Sequence, residues 1–235
     1  MELVNSNSNQ AWQLSGLLLQ SGNSVTGSFI GFTTGFNATF GCNGIGPVRG
    51  TLNGQNLKLN VNQSGQEVSL NASFPSEAPS STNPLTGQFT TLAAGCTDSS
   101  TGTWSAFPVT PLSGSFHGTF TPATGVAPTD VTGTLNQGPN VGTSNATLTG
   151  TINANGPSGF CSYLNSATIT GLISGTQVSL DIFGSNGSQI GQVGPGATIT
   201  PDAKSLSCST PCTYTFSQIS KSCTGDSGTV ELTFP

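Results

Sequence analysis

The sequence predicts an all-β, disulfide-bonded protein of two tandem homologous antiparallel β-meander units, folded as small barrels or sandwiches. Three observations support this fold class. Apolar and polar residues alternate with a period of two, turn residues recur about every 8–12 positions, and one unit occurs twice. No segment combines helical spacing of apolar residues with helix-forming composition, because Gly recurs too often. We therefore expect strands and tight turns throughout the chain.

The clearest strand pattern lies in residues 57–61, where Leu and Val alternate with polar residues, and residues 178–182 repeat it. Asn53-Gly54 predicts a type I′ hairpin turn, because that turn needs positive φ at both central residues. Ser174-Gly175 is its counterpart in the second half. Further turns are predicted at residues 21–23, 64–66 and 185–187. About seven or eight strands per unit would form a barrel similar to the lipocalin-type up-and-down class.

Four segments recur in the same order, which indicates an internal duplication. Residues 14–16, 48–61 and 95–104 match residues 131–133, 169–182 and 222–230, and Cys42 matches Cys161. The separation rises from 117 (131 minus 14) to 127 (223 minus 96), as expected for one unit that carries small insertions. The predicted domains are residues 1–108 and 109–235, with the boundary in the Pro-containing segment 107–111.

Six cysteines in a chain with little Lys and much Ser, Thr, Asn and Gly indicate an oxidising compartment. Equivalent cysteines of a duplicated unit should form equivalent bonds. This predicts the pairs Cys42–Cys96 and Cys161–Cys223 and, within an insertion unique to the second copy, Cys208–Cys212. Zinc binding is the alternative for the close pair, but no second pair or nearby His accompanies it, so no metal site is predicted.

Charged residues form only 6% of the chain, and the net charge is −5. The four basic residues are too few and too scattered to neutralise phosphates, so neither nucleic acid nor anionic lipid is an expected partner; they are Arg49, Lys58, Lys204 and Lys221. No run of 18 apolar residues could form a transmembrane helix. Residues 1–10 lack the basic start and apolar stretch of a signal peptide, so no signal or anchor is expected in this chain.

The segment Gly-Asp-Ser-Gly at residues 225–228 is similar to the nucleophile turn of chymotrypsin-like proteases. A serine nucleophile there, Ser227, would need a His base held by a carboxylate. The chain has one His, His117, without the Ala-His-Cys surroundings of that family. We expect Asp226 and the equivalent residue of the first copy, Asp98, each to cap a turn. We expect His117 to be a half-exposed strand residue.

Glycoside hydrolysis would need two carboxyl groups at one site, and no pair is singled out. The candidate acids mostly sit in or beside predicted turns; they are Glu67, Asp98, Asp130, Asp181, Asp202, Asp226 and Glu231. Four aromatic residues could form a sugar-stacking platform, namely Trp12, Trp104, Tyr163 and Tyr214. Trp104 aligns with Val230, however, so a buried strand position is the favoured interpretation. No catalytic residue or cofactor is predicted, and the protein is not expected to be an enzyme.

Three motifs together carry a family resemblance: SG-L-QSGNSVTG in residues 15–27, NGQNLKLNVNQSGQEVSL in residues 53–70 and GCTDSSTGTW in residues 95–104. They resemble motifs of bacterial secreted or lipoprotein-type β domains, and the resemblance covers most of both copies. The second copy departs from it by Val230 in place of Trp. The resemblance implies an exported envelope protein, with lipid anchoring as an option, and supplies no catalytic residues.

The sequence thus predicts a non-catalytic extracellular or cell-envelope protein with a structural or interaction role, such as a surface lipoprotein, adhesin-like module or filament subunit. Long, uncharged edge strands would favour self-association or pairing with other envelope proteins. The alternative is a barrel-type binding module for a small apolar or carbohydrate ligand. A hydrolase that uses Ser227 or paired acids is the third and least supported hypothesis.

Overall fold

The computed structural model describes residues 1–6, 11–33, 44–63, 66–91, 100–123, 125, 127–138, 145–155, 164–209, 212–216 and 226–235. They form two compact units, Met1–Pro108 and Val109–Pro139 with Ala146–Pro235. Each unit is a closed antiparallel barrel of eight strand positions, which confirms the predicted fold class in its barrel form. Within these ranges no helix is long and apolar enough to cross a membrane.

Barrel one is an up-and-down meander in which each strand pairs with the next and the last pairs with the first. The closing contact joins Leu3 of the first strand to Trp104 of the last. The strands are β1 Glu2–Asn5, β2 Ala11–Ser21, β3 Ser24–Thr33, β4 Gly44–Asn53, β5 Asn56–Gln63, β6 Gln66–Ser73, β7 Leu85–Thr91 and β8 Ser100–Ala106.

Barrel two has the same order of strands, but two short strands share its seventh position. Its strands are β9 Ser113–Pro122, β10 Thr129–Gln137, β11 Ala146–Asn155, β12 Ala167–Ser174, β13 Gln177–Phe183, β14 Gln189–Ile199, β15 Ser205–Cys208, β16 Tyr214–Phe216 and β17 Asp226–Thr233. Both β15 and β16 pair with β14 on one side and with β17 on the other. Because β17 also pairs with β9, the sheet closes.

The interruption between β15 and β16 is a local insertion. Cys208 pairs with Val230 and Tyr214 pairs with Gly228, so five residues lie opposite one residue of β17. A disulfide joins Cys208 to Cys212 within this insertion, with the Cα atoms 5.1 Å apart and both side chains buried. The predicted pairs Cys42–Cys96 and Cys161–Cys223 lie outside the described residues.

The two copies correspond strand by strand, and their matching hairpins have the same turn. Register pairs Asn53 with Asn56 and Ser174 with Gln177, so the central residues are 54–55 and 175–176. Only the first central residue has positive φ, 59° at Gly54 and 57° at Gly175. This is the type II′ pattern, and the predicted type I′ turn is wrong because Gly occupies the first central position rather than the second.

Both interiors are filled by buried side chains, as an eight-stranded barrel allows. A recurring arrangement makes room for the larger ones: a glycine faces inward directly opposite a large residue of the next strand. The pairs are Gly16–Phe29, Gly50–Leu59, Gly87–Trp104, Gly102–Phe89, Gly118–Leu232, Gly133–Phe116, Gly171–Leu180 and Gly191–Phe216. The side chain of each partner lies within about 3 Å of where the glycine's Cβ would be.

Candidate functional site

The structure separates the two residues of the protease hypothesis. Ser227 pairs with Thr215 of β16, whereas His117 pairs with Thr233, six residues further along β17. At about 3.3 Å per residue the two positions are about 20 Å apart. Asp226 begins β17 and pairs with a β16 residue, so the turn predicted at this position is wrong: strand pairing takes up the backbone that would form it.

Of the described candidate acids, Asp202 lies in a turn and three lie within the first two residues of a strand, namely Glu67, Asp130 and Asp226. Asp181 and Glu231 lie further inside their strands. Glu67, Asp130, Asp181 and Glu231 occupy outward positions of β6, β10, β13 and β17. Asp98 and the side chain of Asp226 lie outside the described residues.

Two of these acids come close in register. Asp130 and Glu231 both pair with Thr119 of β9, which lies between them on the outer face of barrel two. Both side chains are exposed. Elsewhere in the described ranges, no three of His, Cys, Asp and Glu cluster as metal ligands would.

The two described residues of the predicted sugar-stacking platform, Trp104 and Tyr214, are buried and do not form an exposed aromatic surface. Trp104 is 2% exposed and donates its indole N–H to the Gln88 carbonyl at 3.1 Å, as expected of a buried strand residue. Tyr214 is fully buried and packs edge-on against Phe120, with ring centroids 4.9 Å apart. The side chains of Trp12 and Tyr163 lie outside the described part of the chain.

A shallow depression of about 560 Å³ lies on the outer face of barrel two, over β9, β10 and β11. Phe116, Gly133 and Pro235 line it together with six outward polar side chains; the six are Ser115, His117, Thr132, Thr134, Thr151 and Asn153. We call this surface the His117 depression. All six side chains are exposed because strand alternation sends Phe116, Val131 and Ile152 inward.

Register arranges the six side chains in two rows across the three strands. In one row Thr132 pairs with His117 on one side and with Asn153 on the other. In the adjacent row Thr134 pairs with Ser115 and Thr151, and the Thr134 and Thr151 hydroxyls are hydrogen-bonded at 3.1 Å. Neighbouring strands are about 4.8 Å apart, so each row places three polar groups along about 10 Å.

One group of the depression is held by the turn that comes directly before β12. The backbone N–H of Ser166 donates to Asn153 Oδ1 at 2.8 Å. Ser166 has φ of 59°, the left-handed region that residues other than Gly rarely adopt, and nearby Leu164 is fully buried. Because its oxygen accepts this bond, Asn153 presents its amide Nδ2 group as a hydrogen-bond donor.

No Asp, Glu, Lys or Arg side chain lines the depression. Asp130 and Glu231 lie in the next row of outer positions, around Thr119, and do not line the depression. The six polar side chains therefore offer hydroxyl, amide and imidazole groups. They can form many hydrogen bonds, and none of them is a carboxylate, an ammonium or a guanidinium group.

The sequence predicts a strand position for His117 but does not predict that His117 lies beside Thr132 and Asn153. These residues are brought together only by the register of three strands. The available signal was the run of alternating Thr residues at 147–151, which marks an outward hydroxyl face but not its neighbours. No family model, curated protein or solved structure matches the chain.

Proposed function

We propose that the chain is a non-catalytic protein of the cell exterior or cell envelope whose role is interaction through the outer faces of its barrels. The observation that carries this proposal is the distribution of side chains. Apolar residues fill both interiors, and the outer face of barrel two carries hydroxyl, amide and imidazole groups at the His117 depression over β9–β11.

The closed sheets favour outer faces over strand edges as the means of interaction. In each barrel the described strands have neighbours on both sides, so their backbone N–H and C=O groups are used within the barrel. Assembly by strand addition needs an exposed edge. A filament subunit joined edge to edge is therefore the less supported form of the structural role.

The filled interiors argue against the alternative function, a module that binds a ligand inside a barrel. A ligand inside barrel one would have to displace fully buried side chains such as Leu59, Leu70 and Phe89. Eight-stranded barrels are just wide enough either for side chains or for one small ligand. A binding module of this chain is better supported on the outer surface.

The buried Cys208–Cys212 disulfide supports the exterior location, because such bonds persist in oxidising compartments. The low content of charged side chains supports an interaction role less directly. Hydroxyl-rich surfaces bind through many weak, neutral hydrogen bonds rather than by electrostatic steering.

The test is to locate the protein and its thiols in the exporting cell. We expect labelling of intact cells by a membrane-impermeant amine reagent, and a native mass six hydrogens below that of the reduced chain, since there are six cysteines. Recovery in the cytoplasmic fraction with free thiols would overturn the proposal. A discrete apolar adduct that persists in the native mass spectrum would instead support an interior ligand.

A further inference from the structure

We propose that the His117 depression binds neutral carbohydrate. The inference rests on the proposed function and names the ligand class for one outer face. Three features support it, namely the chemistry of the lining, the fixed orientation of Asn153 and the absence of Asp, Glu, Lys and Arg side chains from the lining.

The lining matches the hydrogen-bonding character of sugar hydroxyl groups. Each Ser or Thr hydroxyl can donate one hydrogen bond and accept others, as a sugar hydroxyl can. The row of His117, Thr132 and Asn153 adds an imidazole and an amide donor. A chain of alternating donors and acceptors can therefore pair with vicinal hydroxyls along about 10 Å.

Two of these groups are held in place before any ligand binds. Ser166 fixes the Asn153 amide through the 2.8 Å bond, and the Thr134 and Thr151 hydroxyls fix each other at 3.1 Å. Ser166 has a positive φ of 59°, a backbone conformation that costs free energy in a residue other than Gly. Such residues cluster at binding sites, and preorganised groups lose less entropy on binding.

The absence of Asp, Glu, Lys and Arg side chains from the lining selects among ligand classes. An anionic ligand would need Lys or Arg side chains and a cation would need Asp or Glu side chains, and the lining contains none of these. A lipid or other apolar ligand would leave the hydroxyl and amide groups of the lining unpaired. A peptide that adds as a strand would need a sheet edge, and the described strands of barrel two are paired on both sides.

The size of the depression is compatible with this ligand class. About 560 Å³ falls within the roughly 300–1,000 Å³ of small-molecule sites. The methyl groups of Thr132, Thr134 and Thr151 and the ring of Pro235 are the apolar contacts available to sugar C–H groups. Because no Trp, Tyr or Phe ring is exposed in the lining, we expect a dissociation constant near 1 mM rather than in the micromolar range.

The experiment is an amide chemical-shift titration of the full chain with neutral oligosaccharides of glucose, galactose, mannose and N-acetylglucosamine. At least one should shift the amides of β9–β11 and the His117 ring in a saturable way. Asn153→Ala should weaken that binding at least tenfold. Asn71→Ala, at an exposed outer position of β6 in barrel one, is the matched control and should leave the affinity unchanged.

Thr134→Leu is the second variant, because it keeps the test decisive if Asn153→Ala disturbs the turn at Ser166. Leu17 occupies the equivalent outer position of β2, since residues 14–16 match 131–133, so the repeated unit accepts leucine there. The substitution should abolish saturable shifts without changing the rest of the spectrum. Binding that survives both variants, or shifts centred elsewhere, would overturn the proposal.

Failure of this inference can be told apart from failure of the proposed function. If no oligosaccharide shifts the His117 depression in an exported, oxidised protein, the carbohydrate assignment is wrong and the exterior location stands. If a neutral peptide from the envelope shifts the same amides instead, the ligand class is likewise wrong. A cytoplasmic protein with free thiols would overturn the proposed function, whatever the titration shows.

Discussion

At the scale of single residues, the high glycine content is explained by packing inside the barrels. A small barrel has little interior volume, and eight of the large side chains fit because an inward glycine lies opposite each of the eight. Trp104 is the largest example: it extends over Gly87 on β7, is 2% exposed and still satisfies its indole N–H. The sequence alone predicts only helix-breaking and turn roles for these glycines, because the facing partner is on another strand.

Gly87→Ala should destabilise barrel one by about 3 kcal/mol, the upper end for overpacking a core. An added Cβ would be 2.7 Å from both Cε2 and Nε1 of Trp104, and it would also meet the backbone carbonyl of Asn71. Urea unfolding followed by tryptophan emission is the measurement, because both tryptophans belong to barrel one. Thr103→Ala, outward on β8, is the control and should change stability by less than about 0.5 kcal/mol.

Asp202 provides a prediction of pH dependence. The Thr200 hydroxyl donates to Asp202 Oδ1 at 2.6 Å and the Lys204 N–H donates at 3.2 Å, and these bonds lower the pKa of the carboxyl below 3.8. A carboxyl whose pKa is lower in the folded chain than in the unfolded chain stabilises the turn at pH values above its unfolded-state pKa. This stabilisation is lost as the pH falls through the folded-state pKa. Carboxyl NMR titration should show a midpoint below 3.8 that returns toward 3.8 in Thr200→Val but not in Thr200→Ser.

At the scale of elements, the seventh position of barrel two shows how an insertion is accommodated in a duplicated unit. Strand β7 of barrel one is continuous, whereas β15 and β16 are separated by five residues. The neighbouring strand β14 adapts as well: between its pairings at Val193 and Ala197 it has three residues, where β13 has one. The disulfide closes the inserted loop, so the two short strands stay in the same position of the sheet.

Cys208→Ala combined with Cys212→Ala should destabilise barrel two by about 2 kcal/mol, the chain-entropy value for so short a loop. Alanine is chosen because both side chains are buried and a serine hydroxyl would be buried with them. Urea titration followed by the amide signals of β15–β17 is the measurement. The tryptophan transition of barrel one should not move, and an equal shift of both transitions would contradict a local role.

At the same scale, local patterns predicted elements well and their exact geometry less well. The alternation in residues 57–61 and 178–182 placed β5 and β13 correctly, because one face of each strand is buried. The turn between β4 and β5 was predicted one residue too early, at Asn53-Gly54. An Asn-Gly pair does not by itself determine which two residues are central in the turn, and only the pairing of Asn53 with Asn56 does so. His117, Thr132 and Asn153 are far apart in sequence, so no local pattern could group them.

At the scale of the molecule, the duplication predicted from the sequence corresponds to two sheets that each close on themselves. Strands β1–β8 pair only with one another, and so do β9–β17. Whether the copies formed one continuous sheet or two barrels depended on which strands follow β8 and β17 in space. That outcome is set by long-range pairing, such as Leu3 with Trp104, and has no short-range signal.

We expect residues 1–108 and 109–235 each to fold alone. Each fragment contains every strand of its own closed sheet and a separate cluster of buried apolar residues, and each is of ordinary domain size. Expressed separately under oxidising conditions, both should give well-dispersed amide spectra that match the corresponding signals of the full chain. Each should also unfold in one cooperative transition. If either fragment is unfolded while the full chain is folded, the halves depend on each other, and the tandem arrangement of self-sufficient barrels is wrong.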